Sequence, residues 1–284
     1  MNRWKNIWNS KEPFGQVMEE DLEQIYRKMR YLDGYDAVAE TGDEEGYSWE
    51  DLLEQWRQWN RNLCFSKYSD IDNSSNNKAE LKQYSRLKNQ SCDNINLQAQ
   101  KYGIKSVFEV GCGSGPNLLL FQAYYPGIKI GGLDYSSPLI ETAKRYISSN
   151  ELVCDEANNL DFTTTYDAVI SYSVFHYFPD YEYAWSVLER MYKKSTRVLG
   201  IMDIHDLQKK SEFLRHRREL TPDYDIRYSG LEKLFYNKSF FLDFADKYNC
   251  DIKFEKSDVK GYWNNKFVYN CYLYKQKEKS HEGS

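Results

Sequence analysis

Residues 107–117, VFEVGCGSGPN, together with IKIGGLDYS at 128–136, determine how this chain folds. The run KSVFEV is short, β-branched and aromatic, as a buried strand requires, and it stops at three alternating glycines, Gly111, Gly113 and Gly115. Pro116 then opens PNLLLFQAYY. Proline at the first helical position loses no hydrogen bond, because that N–H has no intrahelical partner. The order is strand, glycine-rich turn, helix. Glycine admits positive φ and lets a ligand approach bare backbone. A dinucleotide fingerprint G-x-G-x-x-G counted from Gly111 needs glycine at 116 and meets Pro116 instead. Glu109, inside the strand, suits a cationic or hydroxyl-bearing ligand better than a pyrophosphate.

Outward from this unit the alternation continues. Strands are expected at 128–134, 151–155, 166–172 and 197–204, with helices at 137–147 and 181–194. After a polar excursion from 205 to 228 come a helix at 231–249 and two late strands, 251–258 and 266–275, joined through GYWNN as an antiparallel edge hairpin. Such spacing builds an α/β fold whose mostly parallel sheet is covered by helices. Upstream, EEDLEQIYRKM (19–29) and WEDLLEQWRQWNRNL (49–63) space apolar residues by three and four, so residues 1–100 are expected to form a helical cap. Within it SDIDNSSNNKAE (69–80) has no apolar face and is expected to be a linker. Residues 101–275 form the expected core, with a lid insertion at 205–230, and 276–284 a disordered tail.

Seven strands in this order, an acid ahead of the glycines and a second acid closing the next strand give a pattern that resembles the class I S-adenosylmethionine-dependent methyltransferases. The resemblance implies a seven-stranded, mostly parallel sheet with helices on both faces and an antiparallel last strand. It also implies S-adenosylmethionine as cofactor. Glu109, Gly111, Gly113 and Gly115 would form the cradle, and Asp134, with Tyr135 beside it, would meet the ribose. In CDEANNLDF either Asp155 or Glu156 would meet the adenine amino group. YDAVISYSVFHYFPD would pass beneath the methionine portion and bring Ser171, Tyr172 and Ser173 near the methyl group.

Composition excludes several classes. With 38 basic and 43 acidic side chains and a formal net charge of −5, the chain lacks the general attraction for phosphate that nucleic-acid-modifying enzymes use. KKSEFLRHRR (209–218) is a local basic stretch, suited to an anionic substrate or to the solvated face of a helix. No run approaches the roughly 20 apolar residues that span a bilayer. The start, MNRWKNIWNSKEPFG, has no signal-peptide core, so a cytoplasmic protein without a membrane partner is expected. Six scattered cysteines, without a CxxC pair, imply free thiols and no metal site. Trp4, Trp8, Trp49, Trp56 and Trp59 fall in the first sixty positions. With Tyr68 and Tyr84 they resemble in position the cap that small-molecule methyltransferases fold over their cofactor, or else they anchor helix packing.

Methyl transfer from a sulfonium is an in-line displacement, in which alignment and desolvation replace any protein nucleophile. An alcohol, phenol or ammonium acceptor must still lose a proton, and histidine titrates nearest working pH. His176 and His205 both follow C-terminal strand ends, where open α/β sheets bind ligands, and are the candidate bases. A packed structural histidine is the competing account of His176. Asp203 and Asp206 flank His205 and are placed to orient it. Tyr172, Phe175, Tyr177 and Phe178 either surround the sulfonium or acceptor, or fill core. The expectation is a small-molecule acceptor methylated on oxygen or nitrogen. A protein or RNA methyltransferase and a non-catalytic cofactor binder are the alternatives, and SYSVFHY carries no NPPY-type motif for the first of them.

Overall fold

The computed structural model describes residues 3–11, 21–33, 48–64, 104–258 and 262–276. The expected linker at 69–80, Tyr68, Tyr84 and residues 277–284 of the tail lie outside them. Strands β1 (Ser106–Val110), β2 (Lys129–Asp134), β3 (Leu152–Cys154), β4 (Tyr166–Tyr172), β5 (Ser195–His205), β6 (Cys250–Lys256) and β7 (Val268–Lys275) form one sheet in the order β3-β2-β1-β4-β5-β7-β6. β1 to β5 pair in parallel, while β7 runs antiparallel to both β5 and β6. The late hairpin therefore enters the sheet with β6 at the edge and β7 threaded between β6 and β5. From β1 the chain builds outward through β2 to β3, then returns to place β4 on the other side. That reversal leaves a crevice at the carboxyl ends of β1 and β4.

Helices α1 (Arg3–Asn9), α2 (Leu22–Asp33) and α3 (Trp49–Cys64) precede the sheet, and α4 (Pro116–Tyr124), α5 (Ser137–Tyr146), α6 (Tyr181–Lys194), α7 (Lys210–Leu220), α8 (Tyr224–Arg227) and α9 (Lys238–Tyr248) are interleaved with it. Neighbouring strand residues feed opposite cores, as a pleated strand buried on both sides must. Val107, Ala168, Ile170 and Val198 pack with α2, α3, α4 and α5, including Tyr26, Trp56 and Phe121. Phe108, Val169, Leu199 and Ile201 pack with α6 and α9, including Leu188, Phe241 and Phe244. Trp56 meets Phe121 edge-on at 5.1 Å, and Trp59 lies 4.1 Å from the ring of Tyr172, so both tryptophans join the core on which the cap rests.

Local chemistry sets the helix ends. Gly115 caps α4 at φ 91°, Asp180 caps α6 by accepting from Tyr183 N at 2.7 Å, and Asn237 caps α9 by accepting from Ser239 N. The helix expected over 231–249 is shorter than its apolar pattern suggests. Residues 231–237 lie outside the helix instead, because their backbone is taken by tertiary partners. Leu234 N donates to His176 O, Tyr236 N donates to His205 O, and Leu207 N donates to Tyr236 O. In the basic stretch, Lys209, Arg215 and Arg218 form solvent-facing pairs with Glu212, Glu219 and Asp225, whereas Arg217 turns inward among Tyr224, Tyr228 and Trp263. None of the described helices is long and apolar enough to cross a membrane.

Candidate active site

Gly111, Gly113 and Gly115 take φ of 75°, 55° and 91°, left-handed values that side-chain-bearing residues adopt only with strain. The turn they make hugs the end of β2, with Gly111 N and Cys112 N both donating to Leu133 O. A Cβ on Gly111 would fall 2.3 Å from Val174 Cγ2, and one on Gly113 would fall 2.6 Å from the Asp33 carboxylate. Asp134 accepts from Gly113 N and from Ser136 N, each at 2.9 Å, so its carboxylate ties the glycine turn to the start of α5.

Glu109 is buried, and Asn117 Nδ2 donates to its Oε1 at 2.7 Å. Its Oε2 has no hydrogen-bond partner among the described residues. Burial, then the nearby charges of Asp33 and Asp134, push its carboxyl up to about 8, against the opposing pull of the Asn117 hydrogen bond. Burial likewise raises Asp134 to about 6. Three carboxyls thus converge on one turn, a field that calls for a cation.

Around this turn the other expected cofactor residues separate. Tyr135 is half-buried, with Lys5 Nζ 5.9 Å above its ring. Asp155 accepts from Glu156 N and Asn159 Nδ2 and so shapes its own turn, while Glu156 reaches outward to Lys5 and to the Tyr183 hydroxyl. Ser171 is wholly buried and donates to Val110 O at 2.9 Å, joining β4 to β1. Ser173, two residues on, lies at the strand tip instead, at φ 58°.

On the other side of the crevice His176 and His205 stack, with ring centroids 4.3 Å apart and both side chains buried. Neither nitrogen of His176, nor Nδ1 of His205, has a hydrogen-bond partner among the described residues, and His205 Nε2 meets Asn264 Nδ2 only at 3.4 Å. Burial pushes both imidazoles well below their usual range, followed for His176 by its neighbour His205 and Lys233, and for His205 by Lys233 and Arg217. The flanking acids do not orient His205 as expected. Asp206 caps the next turn at Gln208 N. Asp203 takes φ 59° where β5 shifts register, which swings its carboxylate to accept from the Ser173 hydroxyl at 2.7 Å and the Tyr262 hydroxyl at 3.0 Å. Phe175 and Phe178 fill core, whereas Tyr172 faces Arg30 of α2, 5.8 Å from its ring, and Tyr177 lies between Trp8 and His176.

A family profile described as a methyltransferase domain matches residues 108–199, the span from the acid-bearing strand to the fifth strand. Residues 108–199, about a third of the chain, are thus similar to a methyltransferase domain. Over 91 residues the chain is 29% identical to malonyl-[acyl-carrier protein] O-methyltransferase of Priestia megaterium. That match covers 31% of this chain, and the chain spans about a third of the relative's length, 32%. Among solved structures it is similar to magnesium protoporphyrin IX methyltransferase from Synechocystis PCC 6803, at 15% identity and TM-score 0.48, over 70% of this chain and 96% of that one. It is also similar to the plantazolicin methyltransferase BpumL, at 17% identity and TM-score 0.48, over 80% and 98%.

The residues at this turn fit a sulfonium cofactor such as S-adenosylmethionine on this chain's own geometry. Glu109 Oε2 is a buried acceptor with no partner, Asp134 faces the same turn, and the glycines keep side chains out of the space between. Three features lay beyond sequence reasoning. Asp203 serves Ser173 and Tyr262 and not His205, and the two left-handed residues Ser173 and Asp203 are bonded to each other at neighbouring strand tips. Asp33 was not singled out at all. Its own signal was faint, an acid closing an amphipathic helix.

Proposed function

We propose that this methyltransferase uses S-adenosylmethionine to methylate an oxygen or nitrogen of a small-molecule acceptor. The observation that carries the reading is the buried, unpartnered oxygen of Glu109 beside three left-handed glycines at the switch point of the sheet. The bound cofactor supplies a methyl group on cationic sulfur. Glu109 and Asp134 hold its cationic and hydroxyl-bearing ends, and Gly111, Gly113 and Gly115 allow it to lie against backbone. Tyr172, Ser173 and Asp203 border the transfer site at the tips of β4 and β5, and the cap excludes water.

For a hydroxyl or ammonium acceptor the proton goes to the stacked imidazoles. Burial keeps both neutral and therefore able to accept. Their weak basicity suffices because an acceptor becomes far more acidic as it bonds to the methyl carbon. Support for oxygen comes from the Priestia megaterium relative, which is named an O-methyltransferase. Support for a small acceptor comes from the net charge of −5 and from aromatic cap residues seated on the strand ends.

Titration calorimetry with S-adenosylmethionine tests the reading, followed by transfer of labelled methyl groups to fractionated metabolites. The expected result is saturable heat, a raised melting temperature and label in a small-molecule fraction. No heat and no thermal shift would overturn the cofactor assignment, while binding with label confined to protein or RNA would overturn the acceptor class.

A further inference from the structure

Helix α2 ends with its last residue, Asp33, directly over the glycine turn. Ser114 ties the two together from both sides. Its N–H donates to Asp33 Oδ1 at 2.8 Å, and its hydroxyl donates to Met29 O at 3.1 Å, near the end of the helix. The other carboxylate oxygen of Asp33 occupies the face of Gly113 on which a Cβ would stand. Asp33 keeps accessible surface and is not part of the hydrophobic core.

As a structural device this acid is badly placed. A negative charge in the last turn of a helix opposes the helix dipole. Burial, and then Asp134, raise its carboxyl to about 7, although Ser114 and Arg30 pull the other way. It also adds to the repulsion on Glu109, whose unpartnered Oε2 is buried in the same group. Asparagine would accept from Ser114 N equally well and carry no charge. What a third carboxylate adds is attraction for a cation that donates hydrogen bonds. A sulfonium donates none. An α-ammonium donates three. Arg30, one helical turn earlier on α2 and felt electrostatically by both Glu109 and Asp33, supplies the opposite charge for an α-carboxylate.

We propose that Asp33 is a cofactor-binding residue carried by the cap. Its carboxylate, together with Glu109, receives the α-ammonium of S-adenosylmethionine, so that α2 completes the cradle when it docks on Ser114. The inference rests on the cofactor reading above. It makes the cap part of the binding site for the amino-acid end.

The test compares wild-type protein with Asp33→Asn and Asp33→Ser by calorimetry, against S-adenosylmethionine and against 5′-methylthioadenosine, which lacks the amino-acid end. For both variants the dissociation constant for S-adenosylmethionine should rise about tenfold or more, the size of one charged hydrogen bond. Affinity for methylthioadenosine should stay within about twofold, since the nucleoside contacts are untouched. The ligand-free Asp33→Asn protein should melt no lower than wild type, because a buried repulsion is relieved. Unchanged affinity for S-adenosylmethionine in Asp33→Asn overturns the proposal and leaves the cofactor reading standing. Equal losses for both ligands, with a lowered melting temperature, overturn it in favour of a purely structural cap contact. Wild-type protein that binds neither ligand overturns the cofactor reading and the proposal with it.

Discussion

Two walls of one cleft are built from different material. The cofactor wall comes from residues 109–134, two adjacent strands and the turn between them, and is lined by carboxyls pushed toward neutrality, Glu109 to about 8 and Asp134 to about 6. The proposed acceptor wall gathers His176, the β5 residues Asp203 and His205, and Tyr262 from three segments, and its imidazoles are pushed away from charge by burial and by Lys233 and Arg217. On the proposed reading, one wall receives a cation and the other a proton. The contrast matches a reaction in which a positively charged donor becomes neutral while the acceptor sheds hydrogen.

If the division of labour holds, removing an imidazole strikes turnover and spares donor binding. His176→Asn and His205→Asn each should lower kcat for a proton-bearing acceptor, and the variant that removes the base should do so by about 100-fold or more. The affinity for S-adenosylmethionine should stay within about threefold. The double variant should be little worse than the more damaging single one, since stacked groups act as a unit. Equal damage to donor affinity in calorimetry would break the comparison.

The reciprocal strike is Gly111→Ala. Its φ of 75° and a Cβ placed 2.3 Å from Val174 Cγ2 combine left-handed strain of about 1–2 kcal/mol with overpacking of about 1–3 kcal/mol. Donor affinity and melting temperature should both fall. Val174→Ala in the same chain should restore the part due to overpacking, and no restoration would mean that backbone strain alone is responsible.

The same contrast explains what was legible in the sequence. Glycine spacing, Pro116 and the acids at 109 and 134 are local signals, and β1, α4, β2 and α5 follow from them with ends displaced by a residue or two. Sequence adjacency pairs Asp203 with His205, whereas a left-handed φ and a register shift in β5 turn it toward Ser173 and Tyr262, which periodicity does not reveal. The pattern at the end of β4 points Ser171 toward the methyl group, and in the fold its hydroxyl donates to Val110 O. The apolar pattern of 231–237 reads as helical, but its backbone hydrogen bonds go instead to His176, His205 and Leu207, far away in sequence. Asp33 escaped because its partner Ser114 lies 81 positions on.

pH separates the walls by sign. The carboxyls of Asp33, Glu109 and Asp134 titrate higher in the folded protein than the ordinary value near 4, so their contribution to stability is complete below that value and is lost as pH rises through about 6 to 8. The two imidazoles titrate lower than their ordinary value near 6.5, so theirs is complete above it and is lost as pH falls. Ligand-free protein should therefore melt at lower temperature on both sides of a maximum. Glu109→Gln should flatten the alkaline limb and His205→Asn the acid limb, as thermal melts across pH will show. Saturating S-adenosylmethionine should flatten the alkaline limb alone, because a bound cation stabilises the ionised carboxyls.

The smallest effect should come from the outer edge of the cofactor wall. Lys5 of α1 pairs with Glu156 and lies above the Tyr135 ring, and the same helix is fastened by the Ser136 hydroxyl donating to Trp8 O. These contacts bring α1 across the residues expected to meet the nucleoside, so the pair acts as a latch over that end. Both partners remain about one-third exposed, at 36% and 33%. Pairs so exposed contribute about 0–1 kcal/mol and weaken with salt. Lys5→Ala should therefore change the affinity for S-adenosylmethionine by less than about fivefold. It should act alike on 5′-methylthioadenosine, in contrast to Asp33→Asn, and should lose its effect in high salt. A Lys5→Ala effect confined to S-adenosylmethionine would mean that α1, like α2, serves the amino-acid end.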